Sequence, residues 1–143
     1  MIVNPAYVYM SVADEPAEPV IWDRYRVFNY PYQLNGANLA GNNGLSFAAG
    51  GSVTFSELNF SKFTKITFTE VFQLNRQMSI IVKAVNDKGV TSAETEIKFP
   101  ANTLTNQIWT IPPAFRVKNV KLVVTGGSIN GSSSVTISKA VCS

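Results

Sequence analysis

The sequence predicts an all-β protein: an antiparallel β-sandwich (jelly roll) of about seven to eight strands with an extended N-terminal arm. Residues 65–141 form a series of short segments in which apolar and polar residues alternate, as in strands with one buried face. Turn-forming residues separate these segments at the spacing of a sandwich. No stretch of about 12 residues carries apolar side chains at helical spacing, so helices are not expected.

The first half of the series gives three strands after the opening segment at residues 53–55. In residues 65–72, Ile66, Phe68 and Phe72 are predicted to face the core, and Thr67 and Thr69 the opposite side. The next inward set is Met78, Ile80, Val82 and Ala84. Residues 86–89 have the composition of a hairpin turn. The strand that follows has Thr95, Ile97 and Phe99 facing in and Glu94, Glu96 and Lys98 facing out, and Pro100 ends it.

The second half gives three more strands. Residues 108–111 are extended up to Pro112 and Pro113, and the following strand buries Val120, Leu122 and Val124 and ends at Gly126. The last strand follows a Ser-rich loop at residues 128–134. Its predicted inward residues are Val135, Ile137 and Val141.

The composition of the chain narrows the range of functions to be expected. The 143 residues include no histidine, the commonest general base, and 15% are charged. The single cysteine, Cys142, can form no internal disulfide and is predicted to be a frayed terminal thiol. No block of lysine and arginine predicts nucleic-acid binding, no apolar stretch approaches the ~20 residues of a membrane helix, and no signal peptide is recognisable.

The first 32 residues differ chemically from the rest. They contain all five tyrosines, four prolines, and four acidic against two basic side chains, whereas the remainder is basic. We therefore predict residues 1–50 to be a Tyr/Pro-rich arm with a Gly/Asn-rich linker, and residues 51–143 to be the β-sandwich domain. Interfaces favour tyrosine, tryptophan and arginine. The predicted partner-binding residues are Tyr7, Tyr9, Trp22, Arg24, Tyr25, Arg26, Tyr30 and Tyr32.

Residues 64–141 resemble the galactose-binding-like jelly rolls, which include many carbohydrate-binding modules. The resemblance lies in the segments Ile66–Phe68, Ile80–Gly89, Trp109–Pro112 and Val120–Val124. It implies a jelly-roll fold, and no site residue is carried over from that group. Separately, aromatic faces can stack on sugar rings, which makes Trp22 and Trp109 candidate sugar platforms, although a core or rim position is the favoured interpretation of Trp109. Where that group often has acidic residues in its last strand, this sequence has Ser138 and Lys139.

The acidic residues of this sequence give little indication of a catalytic site. Glu94 and Glu96 share one strand face at a spacing of roughly 7 Å, but Lys98 shares that face, and a solvated surface is the favoured interpretation. Glu70 interrupts an apolar face, so we predict an edge position or a lysine partner for it. Asp14, Glu15 and Glu18 match no calcium-binding loop. We expect no catalytic residues, cofactor or metal site.

These features favour a non-enzymatic structural protein of a bacteriophage virion, a capsid decoration or fibre-associated subunit made in the host cytoplasm. The arm would bind other virion proteins, and the chain would form a homo-oligomer. The alternative is a carbohydrate-binding module that stacks cell-surface sugars on aromatic side chains. A sandwich that folds without residues 1–32 is a further expectation of the arm hypothesis.

Overall fold

The structure, a computed structural model, describes residues 18–72, 74–127 and 134–143. Within these residues the chain forms strands and one short 3-10 helix, Pro113–Phe115. The strands are β1 (Val20–Trp22), β2 (Tyr32–Asn35), β3 (Asn38–Leu39), β4 (Leu45–Phe47), β5 (Ser52–Leu58), β6 (Lys65–Glu70), β7 (Met78–Val85), β8 (Thr95–Phe99), β9 (Asn106–Thr110), β10 (Val120–Gly126) and β11 (Val135–Cys142). The all-β prediction is confirmed.

The strands pair antiparallel in two sheets that form a sandwich. Sheet A has the order β3-β4-β11-β6-β9, and β1 also pairs with β11. Sheet B has the order β2-β5-β10-β7-β8. Strands that are distant in sequence are therefore neighbours, and the long β11 lies between β6 on one side and β4 and β1 on the other.

Most predicted strand faces are confirmed. The inward sets of β7 and β10 are buried, as are Ile66 and Phe68 of β6 and Ile97 and Phe99 of β8. The hairpin turn after β7 is also confirmed: the Asn86 side chain accepts the N–H groups of Lys88 and Val90. Such a side-chain cap is one reason that asparagine favours turns.

Three predicted core positions are wrong. Phe72 follows the end of β6 and is 50% exposed, and Thr95 is exposed at the start of β8. In β11 the register shifts between Ile137 and Lys139, which indicates a bulge. A bulge inserts one residue and reverses the alternation after it, so Ala140 and Cys142 face the core and Val141 does not.

The predicted domain boundary near residue 50 does not match the architecture. Residues 20–47 supply four strands, and three of them pair directly with β5 or β11. Ile21, Trp22, Leu45 and Phe47 are fully buried in the same core as the later strands. The described part of the first 50 residues is therefore built into the sandwich rather than extended from it.

Cys142 is also placed differently from the prediction. Its thiol lies in the core at the end of β11, and burial raises its pKa to about 12. Its backbone N–H donates to Pro19 O at 2.7 Å, which ties the end of β11 to the segment before β1. Among the described residues there is no helix long and apolar enough to span a membrane.

Candidate functional site

The outer face of sheet A, across β11, β6 and β9, contains a polar pocket. Two residues of β6 lie at its centre, because alternation points Ile66 and Phe68 into the core and Thr67 and Thr69 outward. Thr67 pairs with Val141 of β11, and Thr69 pairs with Lys139 of β11 and with Asn106 of β9. Outward side chains from three neighbouring strands therefore lie close together on this face of the sheet.

The pocket has a volume of about 240 Å³. Its lining residues are Thr67, Thr69, Asn106, Lys139, Val141 and Ser143. We call this set the sheet A pocket. The volume is just below the roughly 300–1,000 Å³ of pockets that hold drug-sized ligands, so a small ligand or a short segment of a longer one would fit.

The pocket lining combines hydrogen-bonding groups with small apolar ones. Threonine and serine hydroxyls donate and accept, the Asn106 amide does both, and the Lys139 ammonium donates. The methyl groups of the threonines and of Val141 supply apolar surface beside these groups. Ile108, the β9 partner of Thr67, adds a side chain that is 52% exposed. Such a surface is suited to a ligand with many hydroxyl groups and some exposed C–H groups.

The bulge in β11 determines which of its residues line the pocket. Because it reverses the alternation, Lys139 and Val141 point outward next to Thr69 and Thr67. Two contacts hold the bulge: Trp22 Nε1 donates to Ile137 O at 3.0 Å, and Ser138 Oγ donates to Thr69 O at 3.2 Å. Gly44 packs so closely here that a Cβ on it would lie 2.3 Å from Ile137 O.

The structure places Trp22 in the core, so the predictions of Trp22 as a partner-binding or sugar-binding residue are wrong. The side chain is 0% exposed. Its ring stacks on Phe55 with centroids 5.4 Å apart and tilts against Phe47 and Phe68. Its indole N–H is satisfied inside the protein, as a buried tryptophan requires.

Trp109 is likewise unable to serve as a sugar platform in this structure, because it is 2% exposed and faces the core from β9. The core position agrees with the interpretation of Trp109 that the sequence favoured. The outward face of β9 carries Asn106, Ile108 and Thr110 instead.

The segment from the end of β1 to the start of β2 contains five of the other predicted partner residues: Arg24, Tyr25, Arg26, Tyr30 and Tyr32. Arg24 is held by the loop between β3 and β4, where its guanidinium donates to Asn42 O at 3.4 Å and Asn43 Oδ1 at 3.2 Å. Tyr25 is 70% exposed, and Arg26 has a positive φ of 63° in the turn. This turn leaves Tyr25 and Arg26 open to solvent.

Tyr30 and Tyr32 are attached to the sandwich. The Tyr30 hydroxyl donates to Glu18 O at 2.7 Å and accepts from Glu18 N, and burial raises the pKa of Tyr30 to about 12. Tyr32 packs against Phe28, with ring centroids 4.3 Å apart. Tyr7 and Tyr9 lie outside the described residues. The six predicted residues that the structure describes do not form one surface, since Trp22 is buried in the core.

Glu70 is neither at an edge nor paired with a lysine, contrary to prediction. Its strand β6 lies between β11 and β9, and the side chain is buried. Its Oε1 has no hydrogen-bond partner in the described structure, and burial raises the pKa of Glu70 to about 7.

The two surface glutamates have ordinary partners. Glu94 lies 3.8 Å from Lys83, and Glu96 accepts a hydrogen bond from Ser79 Oγ at 2.7 Å. Among residues 18–72, 74–127 and 134–143, no three histidine, cysteine, aspartate or glutamate side chains come together as metal ligands.

Sequence reasoning identified Thr67 and Thr69 as outward residues but missed the pocket. The pairing of β6 with both β9 and β11 could not be derived from alternation, and the bulge that turns Lys139 outward leaves no sequence signature. Lys139 was noted only as a departure from an acidic pattern.

Solved structures with the same fold are carbohydrate-binding modules. A carbohydrate-binding module, CBM36, in complex with calcium and xylotriose superimposes with a TM-score of 0.58 at 17% identity, covering 80% of this chain and 94% of that one. The CBM36-1 domain of a multidomain xylanase from the hindgut metagenome of Trinervitermes trinervoides gives 0.54 at 11% identity, covering 80% and 90%. At these identities the likeness concerns the fold.

No protein-family profile matches the sequence, and no curated protein matches it. The chain shares its β-sandwich fold with these two carbohydrate-binding modules.

Proposed function

We propose that this chain is a non-catalytic carbohydrate-binding module that holds a short segment of a glycan in the sheet A pocket. The observation that carries the proposal is the pocket itself: hydroxyl, amide and ammonium groups converge around apolar methyl groups on an exposed sheet face. Sugars present the matching combination, with hydroxyl groups around the ring and C–H groups on its faces. The fold likeness to carbohydrate-binding modules supports the same conclusion.

The pocket would bind by hydrogen bonds more than by aromatic stacking. The strands that form it, β6, β9 and β11, have no aromatic residue on their outer faces, since Phe68 and Trp109 point inward. A hydrogen bond contributes about 0.5–1.5 kcal/mol net, so each lost bond should weaken binding roughly two- to ten-fold. Several such bonds give the modest affinity expected of a shallow site.

The direct test is a glycan array that includes xylotriose, the sugar bound by the CBM36 structure, with titration calorimetry on each hit. The double variant Thr67→Val, Thr69→Val removes two hydroxyl groups but keeps shape and strand preference. We expect it to weaken binding by about tenfold or more.

A matched control is the double variant Thr54→Val, Thr125→Val on the outer face of sheet B, where both threonines are half-buried in the same way. It should bind like the unaltered protein. The proposal fails if no glycan binds, or if the two double variants bind equally well.

The virion role, its partner proteins and its homo-oligomer stay predictions from the sequence. The arm on which they were based has one exposed aromatic in its described part that is not packed on another ring, Tyr25. Exposed Tyr25 and Arg26 are the residues through which that role would be tested, by self-association of a Tyr25→Ala variant in sedimentation experiments.

A further inference from the structure

The outer face of sheet A carries two lysines to which the structure gives no ion-pair partner among the described residues. Lys139 lines the pocket, and Lys65 lies four residues from Thr69 along β6, on the same face. At about 3.3 Å per residue, Lys65 lies about 13 Å along the strand from Thr69, which is the β6 partner of Lys139. Both side chains are exposed.

On the opposite face of the sandwich, the outer face of sheet B, charged side chains have partners. On sheet B, Lys83 lies 3.8 Å from Glu94, and Glu96 is hydrogen-bonded to Ser79. Lysines and carboxylates alternate there, so the surface is close to neutral. The positive charge of sheet A is therefore a property of one face and does not follow from the overall net charge of +3 alone.

Carboxylates that could neutralise the two lysines are directed elsewhere. Strands β6, β9 and β11 contain a single acidic residue, Glu70, and it is buried on the core side. Asp23 follows β1, the edge neighbour of β11, and its Oδ1 is engaged by the backbone N–H groups of Tyr25 and Val27 in the turn. The outward side chains of β6, β9 and β11 therefore carry positive charge, from Lys65 and Lys139, and no negative charge.

We propose that the sheet A pocket selects acidic glycans, chains whose sugar rings carry carboxylates. Lys139 contacts one carboxylate inside the pocket, with the hydroxyl groups of Thr67 and Thr69 and the Asn106 amide as neighbouring donors. Lys65, about 13 Å away, lies farther than one sugar ring reaches and contacts a second carboxylate along the chain. This inference rests on the proposed function, because it names the glycan class for the same pocket.

The lysines are exposed, so their contribution is modest and sensitive to salt. Exposed ion pairs usually change an equilibrium by no more than about fivefold, and ions screen them over about 10 Å at 0.1 M salt. We expect Lys139→Gln to weaken binding of an acidic glycan by two- to fivefold at low salt, and Lys65→Gln, Lys139→Gln together by about tenfold.

The test uses tetragalacturonate and alginate oligosaccharides, each beside its carboxyl-reduced neutral counterpart, in calorimetric titrations at 50 and 500 mM salt. The inference predicts tighter binding of the acidic member of at least one pair, a preference that Lys139→Gln diminishes and high salt suppresses. Lys121→Gln, which removes the same charge from an exposed position on sheet B, is the control and should keep the preference.

Equal binding of acidic and neutral members overturns the inference, and so does a preference that Lys121→Gln reduces as much as Lys139→Gln. If neutral glycans bind and that binding depends on Thr67 and Thr69, the proposed function stands and the acidic selectivity fails. If none of these glycans nor any on the array binds, both fail.

Discussion

The position of Trp22 gives a prediction whose size can be worked out from its contacts. The side chain is fully buried, stacks on Phe55, and donates a hydrogen bond to Ile137 O at the bulge of β11. Replacing a buried tryptophan by alanine costs about 3–5 kcal/mol, and a carbonyl left without its donor adds about 1–3 kcal/mol. Domains of this size are stable by about 5–15 kcal/mol, so Trp22→Ala should remove a large part of the free energy of unfolding.

Trp22→Phe is the more informative variant. It keeps an aromatic ring against Phe55 but removes the indole N–H, so we expect a loss of about 2 kcal/mol in the free energy of unfolding. With a urea slope of about 2 kcal/mol per M, the unfolding midpoint should fall by about 1 M. Tyr25→Ala, three residues away and 70% exposed, should change stability by less than about 0.5 kcal/mol.

The same variants separate a core role from a binding role for Trp22. Folded Trp22→Phe protein should keep most of its glycan binding, because Trp22 does not line the pocket and acts on it only through the hydrogen bond to Ile137 O at the bulge. An unchanged urea midpoint would refute the packing argument. A folded Trp22→Phe protein that loses glycan binding as completely as Thr67→Val, Thr69→Val would contradict a role for Trp22 in packing alone.

Three further predictions test other parts of the structure. Gly44→Ala should cost clearly more stability than Gly41→Ala in urea unfolding: both glycines have positive φ, a strain of about 1–3 kcal/mol for other residues, but only at Gly44 would the new Cβ meet β11 backbone. Equal costs would contradict the close approach. Because burial raises the pKa of Glu70 to about 7, native protein holds a proton that unfolded protein releases near pH 4.5. Stability should therefore fall as pH rises from about 4.5 to about 7, and Glu70→Gln should flatten this dependence; an unchanged pH profile would contradict the burial. The Cys142 thiol, with a pKa of about 12, should react with a thiol reagent at pH 8 far more slowly in native than in urea-unfolded protein, and equal rates would show that the end of β11 is open.

Much of the fold follows from local sequence pattern. The inward residues of β7 and β10 alternate strictly, and the side chain of Asn86 caps the turn that joins β7 to β8. These features depend on neighbours within a few residues. Sequence alone is sufficient to recognise them.

The errors have a different origin. Trp22 was assigned to an arm because prolines and tyrosines surround it, yet β1 is completed by β11, more than 100 residues later in the chain. A three-residue strand has too little alternation to be recognised without its partner. The bulge near Lys139 could not be predicted for the same reason, because it is a shift in the register of β11 against β6.

The pocket could not be predicted because it is a product of strand order. Thr67, Asn106 and Lys139 meet only because β6 pairs with β9 on one side and β11 on the other. Polar residues are common on exposed strand faces, so the sequence alone does not indicate that these three side chains lie close together.

The most direct test of the account is an NMR titration of labelled protein with the glycan that binds best on the array. The account predicts that backbone amide signals shift on β6, β9 and β11, with the largest changes at Thr67, Thr69, Asn106 and Lys139. Shifts confined to the turn around Tyr25 or to the outer face of sheet B would contradict it, because the glycan would then bind away from the sheet A pocket.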